Sequence, residues 1–257
     1  KRHIAAKLLV APGANVLDIG CGWGGLALYL AEICRAQVTG ITLSEEQFRR
    51  AQAIAIECRH TKDATFRLID YRDVEGQFDR ISAVGLLEHV GTPHYPEFFR
   101  HTHRLLKPQG VMFTHCCGRA GPPGFTDKWT RKYIFPGGYI PALSELVTES
   151  EKAGWQVADV EAMRFHYSYT LAEWYNRTVM HRDEIVELYD ERFYRMWLFY
   201  LVGAEQSFSH GKMVNWQMVY VKDRAAIPMT RDFMYEESAR LREGDEAPEW
   251  HLARAAE

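Results

Sequence analysis

A glycine-rich junction between a buried strand and a helix is the feature that most constrains this chain. In the stretch VLDIGCGWGGLALYLAE, residues 16–32, four glycines stand within positions 20–25. The apolar residues before them are typical of a central strand, and residues 26–34 are typical of a helix packed on a sheet. Because glycine lacks a Cβ and adopts positive φ at little cost, the junction predicts a tight turn where something approaches the backbone closely.

Strands and helices alternate through the first half of the chain. The hydrophobic pattern predicts helices at 26–34, 44–58 and 94–106, a turn at 107–110, and further strands at 36–43, 64–70, 78–87 and 111–117. Such alternation is typical of a parallel sheet covered by helices on both faces. Right-handed crossovers then give a doubly wound, Rossmann-like α/β fold.

The second half of the chain is less regular. The expected order is a long glycine- and proline-rich ordered loop at 118–141, a helix at 143–153, a strand at 155–165, helical material at 170–210 and a last strand at 213–222. We interpret the helical insertion, about 168–211, as a lid over the carboxyl edge of a mostly parallel, seven-stranded sheet. The predicted domain spans 1–223, and the charged, alanine-rich residues 224–257 form a peripheral extension.

Composition narrows the class of protein. A net charge of −3 over 257 residues argues against a nucleic-acid partner, which usually goes with a basic excess. The aromatic content of 13% suits contact with an apolar ligand or a membrane surface, and equally suits a well-filled core. The five cysteines form neither a CxxC pair nor a zinc spacing, so we predict a reducing compartment and no metal.

The sequence contains neither a signal peptide nor an apolar run of the roughly 18 residues that a spanning helix needs. We therefore predict a cytoplasmic protein. Lys1 already lies in a predicted helix, and we expect further sequence upstream of it.

The residue that gives the glycine turn a chemical meaning is Asp18, two positions before the first glycine. A nicotinamide fingerprint, G-x-G-x-x-G, fits Gly20, Gly22 and Gly25 only weakly. The pattern LD-x-G-x-G-x-G over Gly20, Gly22 and Gly24 resembles class I methyltransferases that use S-adenosylmethionine. The resemblance implies that the glycine backbone packs on the methionyl part while Asp18 helps to hold the ammonium group. A turn with a merely structural role is the alternative.

The end of the second strand is where such methyltransferases usually place an acid for the ribose hydroxyls. Here Thr42 and Leu43 occupy that place, and Gln47 is the candidate to bond the hydroxyls instead. Ser44 and Gln47 also have the spacing of a capping box, which satisfies open amides at a helix start. Both interpretations are open at this point.

After the third strand, the tetrapeptide DYRD places Tyr71 and Arg72 where methyltransferases cover the adenine ring. The resemblance makes Tyr71 the stacking partner. An ordinary surface turn is the alternative.

An ordered set of motifs resembles the cyclopropane-fatty-acid synthase family, the phospholipid branch more than the mycolic branch. The resemblance runs from residue 1 to about residue 222 through GCGWGGLALYLA, GITLSEEQ, GLLEHVGTPHYPEFFRHTHRLLKPQGVMFTH, KYIFPGGYIP, HYSYTLAEWY and RMWLFYL. It implies that the cis double bond of an unsaturated acyl chain attacks the sulfonium methyl of S-adenosylmethionine. Loss of a proton from the resulting carbocation then closes a cyclopropane ring.

In this family the proton goes to a bound bicarbonate, so the resemblance also implies an anion site. Glu88 and His115 have the family's separation of 27 residues, and Tyr200 falls in the FYL helix. The amide of Cys117 takes the place of a backbone group usually provided by isoleucine. A further backbone group comes from an upstream cysteine that this chain does not contain. Taken singly, Glu88 is equally a turn cap, and His115 equally a core histidine.

Three further features have alternative interpretations. Trp197, Leu198 and Leu201 follow helical spacing, and we favour an acyl channel over core packing for them. KYIFPGGYIP is either a loop at the acyl entrance or a rigid connector. We expect His89 to be structural.

The sequence therefore predicts an enzyme that modifies unsaturated phospholipid acyl chains, in peripheral contact with the inner face of the membrane. Three alternatives are open: a methyl- or methylene-branched product, a small-molecule N- or C-methyltransferase, and an inactive cofactor-binding partner subunit. A homodimer or a partner subunit is possible in each case.

Overall fold

The computed structural model describes residues 1–58, 60 and 62–245 of the chain. Its strands are β1 (Asn15–Ile19), β2 (Gln37–Thr42), β3 (Ala64–Leu68), β4 (Phe78–Val84), β5 (Leu106–Arg119), β6 (Gln156–Met163) and β7 (Met213–Val221). Its helices are α1 (Arg2–Leu8), α2 (Gly25–Ile33), α3 (Glu45–Glu57), α4 (Leu87–Val90), α5 (Tyr95–Leu105), α6 (Lys128–Tyr133), α7 (Leu143–Lys152), α8 (His166–Met180), α9 (Arg182–Leu188), α10 (Glu191–Ser209) and α11 (Asp232–Asp245).

The seven strands form one sheet in the order β3-β2-β1-β4-β5-β7-β6. Strands β1 to β5 pair in parallel, and β7 runs antiparallel between β5 and β6. The carboxyl ends of β1, β2 and β4 therefore meet at one edge, where a doubly wound sheet binds its ligands. The predicted mostly parallel seven-stranded α/β fold is confirmed.

Apolar cores lie on both faces of this sheet. One core packs α1, α2 and α3 against residues such as Val16, Val38 and Phe113. The other packs α5 and α7 around Ile19, Ile81 and Met112. The central strands lie between these two cores, so residues 16–19 of β1 and 81–83 of β4 are buried. A smaller cluster around Leu171, Leu201 and Phe208 joins α8 to α10 beside Cys117, at the end of β5.

Several predicted boundaries were wrong. The loop predicted at 118–141 contains the short helix α6, which Asp127 caps by accepting from the Thr130 amide at 2.8 Å. Residues 107–110, predicted as a turn, lie in β5, where the register shifts between Phe78 and Arg80 of β4. The helical insertion before β7 is three helices, beginning at His166 rather than at residue 170.

The C-terminal segment was expected to be peripheral, but part of it is packed. Helix α11 buries Phe233, Met234 and Leu241, and Leu241 belongs to the same apolar core as α1 and α2. Burying these apolar side chains holds one face of α11 against the core, while its charged residues can stay in water on the opposite face. Residues 246–257 of the predicted extension lie outside the described residues. Within the described part of the chain, every helix is too short or too polar to cross a bilayer.

Candidate active site

Asp18 lies near the carboxyl end of β1, with one of its carboxylate oxygens bonded and the other free. Its Oδ1 accepts a hydrogen bond from Ser82 Oγ of the neighbouring strand β4 at 2.6 Å. Its Oδ2 is buried and has no hydrogen-bond partner among the described residues. Burial raises the pKa of Asp18 to about 6, although the hydrogen bond from Ser82 opposes that shift. A buried, half-satisfied carboxylate suits a cationic ligand.

The glycine turn beside Asp18 depends on backbone conformations that other residues rarely adopt. Gly20, Gly22 and Gly24 have φ angles of 73°, 56° and 85°. A Cβ on Gly24 would lie 2.8 Å from the Phe66 ring, whereas a Cβ on Gly22 would meet nothing within 4 Å. Gly24 is therefore needed for packing and for the start of α2. The space beside the Gly22 backbone is empty, so a ligand can approach it, and packing within the protein does not explain a glycine at this position.

At the end of β2, the capping interpretation and the ligand interpretation each account for part of the geometry. Ser44 Oγ accepts from the Gln47 amide at 3.3 Å and so caps α3. The Gln47 side chain does not return to Ser44; its Oε1 accepts from Thr42 Oγ1 at 2.7 Å. Leu43 is 71% exposed beside them. The capping box is therefore half formed, and the Gln47 amide is held at the sheet edge.

The turn after β3 is a 3-10 turn over Tyr71–Asp73. The Tyr71 ring meets Phe98 of α5 edge-on, with the ring centroids 5.5 Å apart, and it also contacts His101. Arg72 donates to Asp70 through Nε at 2.9 Å and through Nη2 at 2.8 Å. Packing against α5 thus fixes Tyr71 beside the sheet edge, while the ion pair gives the turn its shape.

A cavity of about 950 Å³ opens beyond the carboxyl ends of β4 and β5. Its wall is mainly apolar and aromatic, and it includes Glu88, Cys117, Phe135, Tyr167, Tyr200 and Phe208. Helix α10 forms one side and residues 125–140 form another. Trp129 of α6 and Phe199 of α10 meet edge-on with their ring centroids 5.0 Å apart, which joins the two sides.

Glu88 follows β4 in the short helix α4 and places a carboxylate in this wall. Its Oε1 accepts from the Cys117 amide at 2.7 Å, and its Oε2 is buried without a hydrogen-bond partner in the described structure. Burial raises the pKa of Glu88, and hydrogen bonds from backbone amides oppose that shift. We expected the Cys117 amide to hold an anion directly; in the structure it holds Glu88 instead.

Two tyrosines reach the cavity, and the sequence argument selected only one of them. Tyr200 of α10 lies edge-on to Phe135, with the ring centroids 5.8 Å apart. Burial raises the pKa of Tyr167 of α8, and nearby Cys117, Tyr200 and Glu88 raise it further. Burial also raises the pKa of Tyr200, but there only Cys117 contributes in addition. The motif HYSYTLAEWY contains Tyr167, but no spacing in the sequence distinguished it from its neighbours.

His115 lies two residues before Cys117 on β5, but its ring is not part of the cavity wall. The ring nitrogen Nδ1 lies 3.1 Å from Nε2 of Gln217 on β7. Burial, and then the positive charges of Lys7 and His3, lower the pKa of His115 to about 4. The structure thus brings Glu88, Cys117 and Tyr200 together at the cavity and places the His115 ring outside the cavity wall, next to Gln217.

One expectation for the cavity wall was wrong. Leu201 is buried in the cluster between α8 and α10 and Trp197 packs against it, so both form core rather than a channel wall. His89, which we predicted to be structural, lies in the cavity wall and meets Phe135 edge-on with a centroid separation of 6.4 Å, a packing contact that a structural role allows. The faces of α10 could not be assigned from spacing alone, because apolar residues occur on more than one of them.

Comparison with known proteins identifies the family. The model of a family described as mycolic acid cyclopropane synthetase matches residues 1–218. The chain belongs to this family. Among curated members, the cyclopropane-fatty-acyl-phospholipid synthase of Escherichia coli K12 is 40% identical over 219 residues, which are 85% of this chain and 56% of that protein. A probable fatty acid methyltransferase of Pseudomonas putida is 33% identical over 91% of this chain and 62% of its own length.

Solved structures of family members agree. The cyclopropane synthase MmaA2 of Mycobacterium tuberculosis matches with a TM-score of 0.80 and 28% identity, over 85% of this chain and 82% of that one. The mycolic acid cyclopropane synthase CmaA1, complexed with SAH and CTAB, matches with a TM-score of 0.79 over 84% and 81% of the two chains. The chain therefore has the methyltransferase fold of this family. It spans about half the length of the curated relatives it matches.

Proposed function

We propose that this chain catalyses methyl transfer from S-adenosylmethionine to the cis double bond of an unsaturated phospholipid acyl chain, with closure of a cyclopropane ring. The observation that carries the proposal is the apolar cavity of about 950 Å³ with the Glu88 carboxylate in its wall. An alkene is a weak nucleophile, so its reaction needs close alignment and exclusion of water. The positive charge that develops on the acyl chain needs a fixed anion nearby.

The sheet edge fits S-adenosylmethionine, which supplies an electrophilic methyl group when bound. The free Oδ2 of Asp18 suits the ammonium group, and the open backbone at Gly22 lets the methionyl part approach. Gln47 and Thr42 are the candidates to bind the ribose hydroxyls. We assign Leu43 and Arg72 to the same cofactor-binding edge of the sheet. Tyr71 is the candidate for the adenine ring.

The glycine turn lies close to the segment that leads into the cavity wall. A Cβ on Gly20 would lie 3.2 Å from Leu86 Cδ1, two residues before Glu88. The glycine turn thus packs on the segment that carries the carboxylate.

The residues near Glu88 fit bicarbonate, which supplies the base when bound. The free Oε2 of Glu88 can accept a hydrogen bond, and a tyrosine hydroxyl can donate one. We assign His115 as a second donor from the family resemblance, since it lies two residues before Cys117 on β5. Both Tyr200 and Tyr167 line the cavity. Since Glu88 already occupies the Cys117 amide, we assign Cys117 to orienting that carboxylate.

The cavity rim supports peripheral contact with a membrane surface. Phe125 is 93% exposed and Phe199 is 65% exposed, and both belong to the cavity wall. Lys128, Arg131 and Lys132 belong to α6, which follows Phe125 in the sequence and contacts Phe199 through Trp129. Aromatic side chains among cations suit the interface of an anionic bilayer.

Incubation with labelled S-adenosylmethionine and vesicles of unsaturated phospholipid tests the proposal, with the acyl chains analysed by gas chromatography and mass spectrometry. We expect label in a cyclopropane ring, and a slower rate in carbonate-free buffer that added bicarbonate restores. A labelled methyl or methylene branch would keep the cofactor and the lipid but change the product. Label confined to a soluble amine, or cofactor binding without any transfer, would refute the assignment.

A further inference from the structure

A row of polar side chains crosses three strands on the face of the sheet that carries His115. In the register of the sheet, His115 of β5 lies opposite Gln217 of β7, and Gln217 lies opposite Glu161 of β6. Gln217 is only 3% exposed. An amide buried between an imidazole and a carboxylate has no contact with bulk water, so its contacts are set by these neighbours.

The far end of this row is anchored by α1. Lys7 is fully buried and pairs with Glu161, whose Oε2 also lies 2.7 Å from His3 Nε2. These contacts hold the Glu161 carboxylate on the α1 side of the sheet. Gln217 is then left with His115 as the only hydrogen-bond partner of its side chain among the described residues, and its own Oε1 is buried without a partner.

The direction of the Gln217–His115 hydrogen bond determines where the histidine carries its proton. Gln217 Nε2 can only donate, so its hydrogen bond with His115 Nδ1, 3.1 Å away, requires the tautomer in which Nδ1 is the acceptor. With its pKa near 4, His115 is neutral at physiological pH and has one ring proton. In the tautomer that this hydrogen bond requires, that proton lies on Nε2, which makes Nε2 a hydrogen-bond donor.

We propose that Gln217 is a positioning residue that keeps His115 in the Nε2–H tautomer, so that the imidazole presents a donor to the bicarbonate site. This inference rests on the proposed function, in which His115 and Glu88 share one anion. The division of roles follows from the chemistry: Glu88 offers an acceptor oxygen, and a neutral His115 with Nε2–H offers a donor. The opposite tautomer would turn a lone pair toward an anion and repel it.

The test is the tautomer of His115 in the full chain, read from the nitrogen chemical shifts of ¹⁵N-histidine-labelled protein and assigned with the variant His115→Gln. We expect the wild-type ring to carry its proton on Nε2. Gln217→Met removes the donor, and Gln217→Glu supplies an acceptor that draws the proton to Nδ1. Thr114→Val is the matched control, because it removes a buried hydroxyl on the same strand that faces Tyr220 rather than His115.

The kinetic counterpart is the bicarbonate concentration that gives half-maximal turnover. We expect Gln217→Met to raise it about tenfold and Gln217→Glu about a hundredfold, with Thr114→Val close to wild type. A wild-type ring protonated on Nδ1, or an unchanged tautomer in both Gln217 variants, would overturn the inference. If wild-type turnover does not depend on bicarbonate concentration, bicarbonate is not the base and that part of the proposed function is refuted. The nitrogen chemical shifts still show whether Gln217 sets the tautomer of His115. Thermal unfolding of each variant shows that the measured chain is folded.

Discussion

The variant Glu88→Gln distinguishes a catalytic role of the Glu88 carboxylate from a purely structural one, in which it only caps the Cys117 amide. In the wild type, Glu88 Oε1 accepts a hydrogen bond from the Cys117 backbone amide at 2.7 Å. A glutamine side chain still has an oxygen that can accept this bond, so a purely structural role would be preserved. What is lost is the negative charge at the buried Oε2. A unit charge about 4 Å from a developing cation is worth about 4 kcal/mol at an effective dielectric constant of about 20.

The dipole of the new amide recovers part of that energy, so we expect a net loss of about 2.7 to 4 kcal/mol. Since each 1.36 kcal/mol changes a rate about tenfold, kcat should fall by about 100- to 1,000-fold. The affinity for S-adenosylhomocysteine should stay within about twofold, because the cofactor edge depends on other residues. Single-turnover kinetics with labelled cofactor and vesicles, alongside calorimetric binding, measure both quantities.

The stability of the same variant has a predictable sign. Burial raises the pKa of Glu88 in the folded protein, so the wild-type carboxyl favours folding below its unfolded pKa and loses that contribution as pH rises through the folded pKa. The neutral amide does not titrate. The melting temperature of Glu88→Gln relative to wild type should therefore rise with increasing pH and then level off.

Glu145→Gln is the matched control, since Glu145 accepts from Tyr139 Oη and from the Ala142 amide and helps to hold the same loop from outside the cavity wall. We expect it to lower kcat by less than about tenfold. Turnover of Glu88→Gln near the wild-type rate, with normal stability, would show that Glu88 is a cap.

Three other predictions concern the cofactor edge and the tyrosines. Asp18→Asn should weaken S-adenosylhomocysteine binding about tenfold in calorimetry, and wild-type affinity should fall below about pH 6 as Asp18 becomes protonated; an unchanged affinity would remove Asp18 from the site. Gly24→Ala should lower the free energy of unfolding in urea by about 1 to 3 kcal/mol, because φ is positive and the new Cβ meets Phe66; equal stability would contradict the packing argument. Tyr167→Phe should raise the half-saturating bicarbonate concentration more than Tyr200→Phe, and the reverse order would restore the original assignment of Tyr200.

The sheet and its functional edge were predictable because they depend on local patterns. Apolar strands, glycines at fixed offsets and alternating helices leave few topologies open. Asp18 lies near the carboxyl end of β1 and Glu88 follows the adjacent parallel strand β4, so their approach to one edge is a consequence of strand order. The pairing of Val84 with His115 similarly brings the segment after β4 beside the end of β5, which places Cys117 next to Glu88.

The residues that sequence reasoning missed depend on how distant segments pack. Tyr167 reaches the cavity because α8 lies against α10, and no pattern within either helix determines that contact. Gln217 meets His115 because β7 inserts antiparallel between β5 and β6. A one-residue shift in that pairing would turn Gln217 to the opposite face. Leu241 shows the same limit, since its burial depends on α11 returning to α1.

The two buried carboxylates at this edge share an arrangement that argues for cationic chemistry. Asp18 and Glu88 each have one oxygen in a hydrogen bond within the protein, from Ser82 and Cys117, and one oxygen buried without a partner in the described structure. A free buried carboxylate oxygen is costly unless a ligand donates to it or carries positive charge. A phosphate-bearing ligand at the glycine turn would be repelled, whereas a sulfonium and a carbocation would both be stabilised. The neutral state of His115 fits the same chemistry, because a protonated imidazole would oppose a cation beside it.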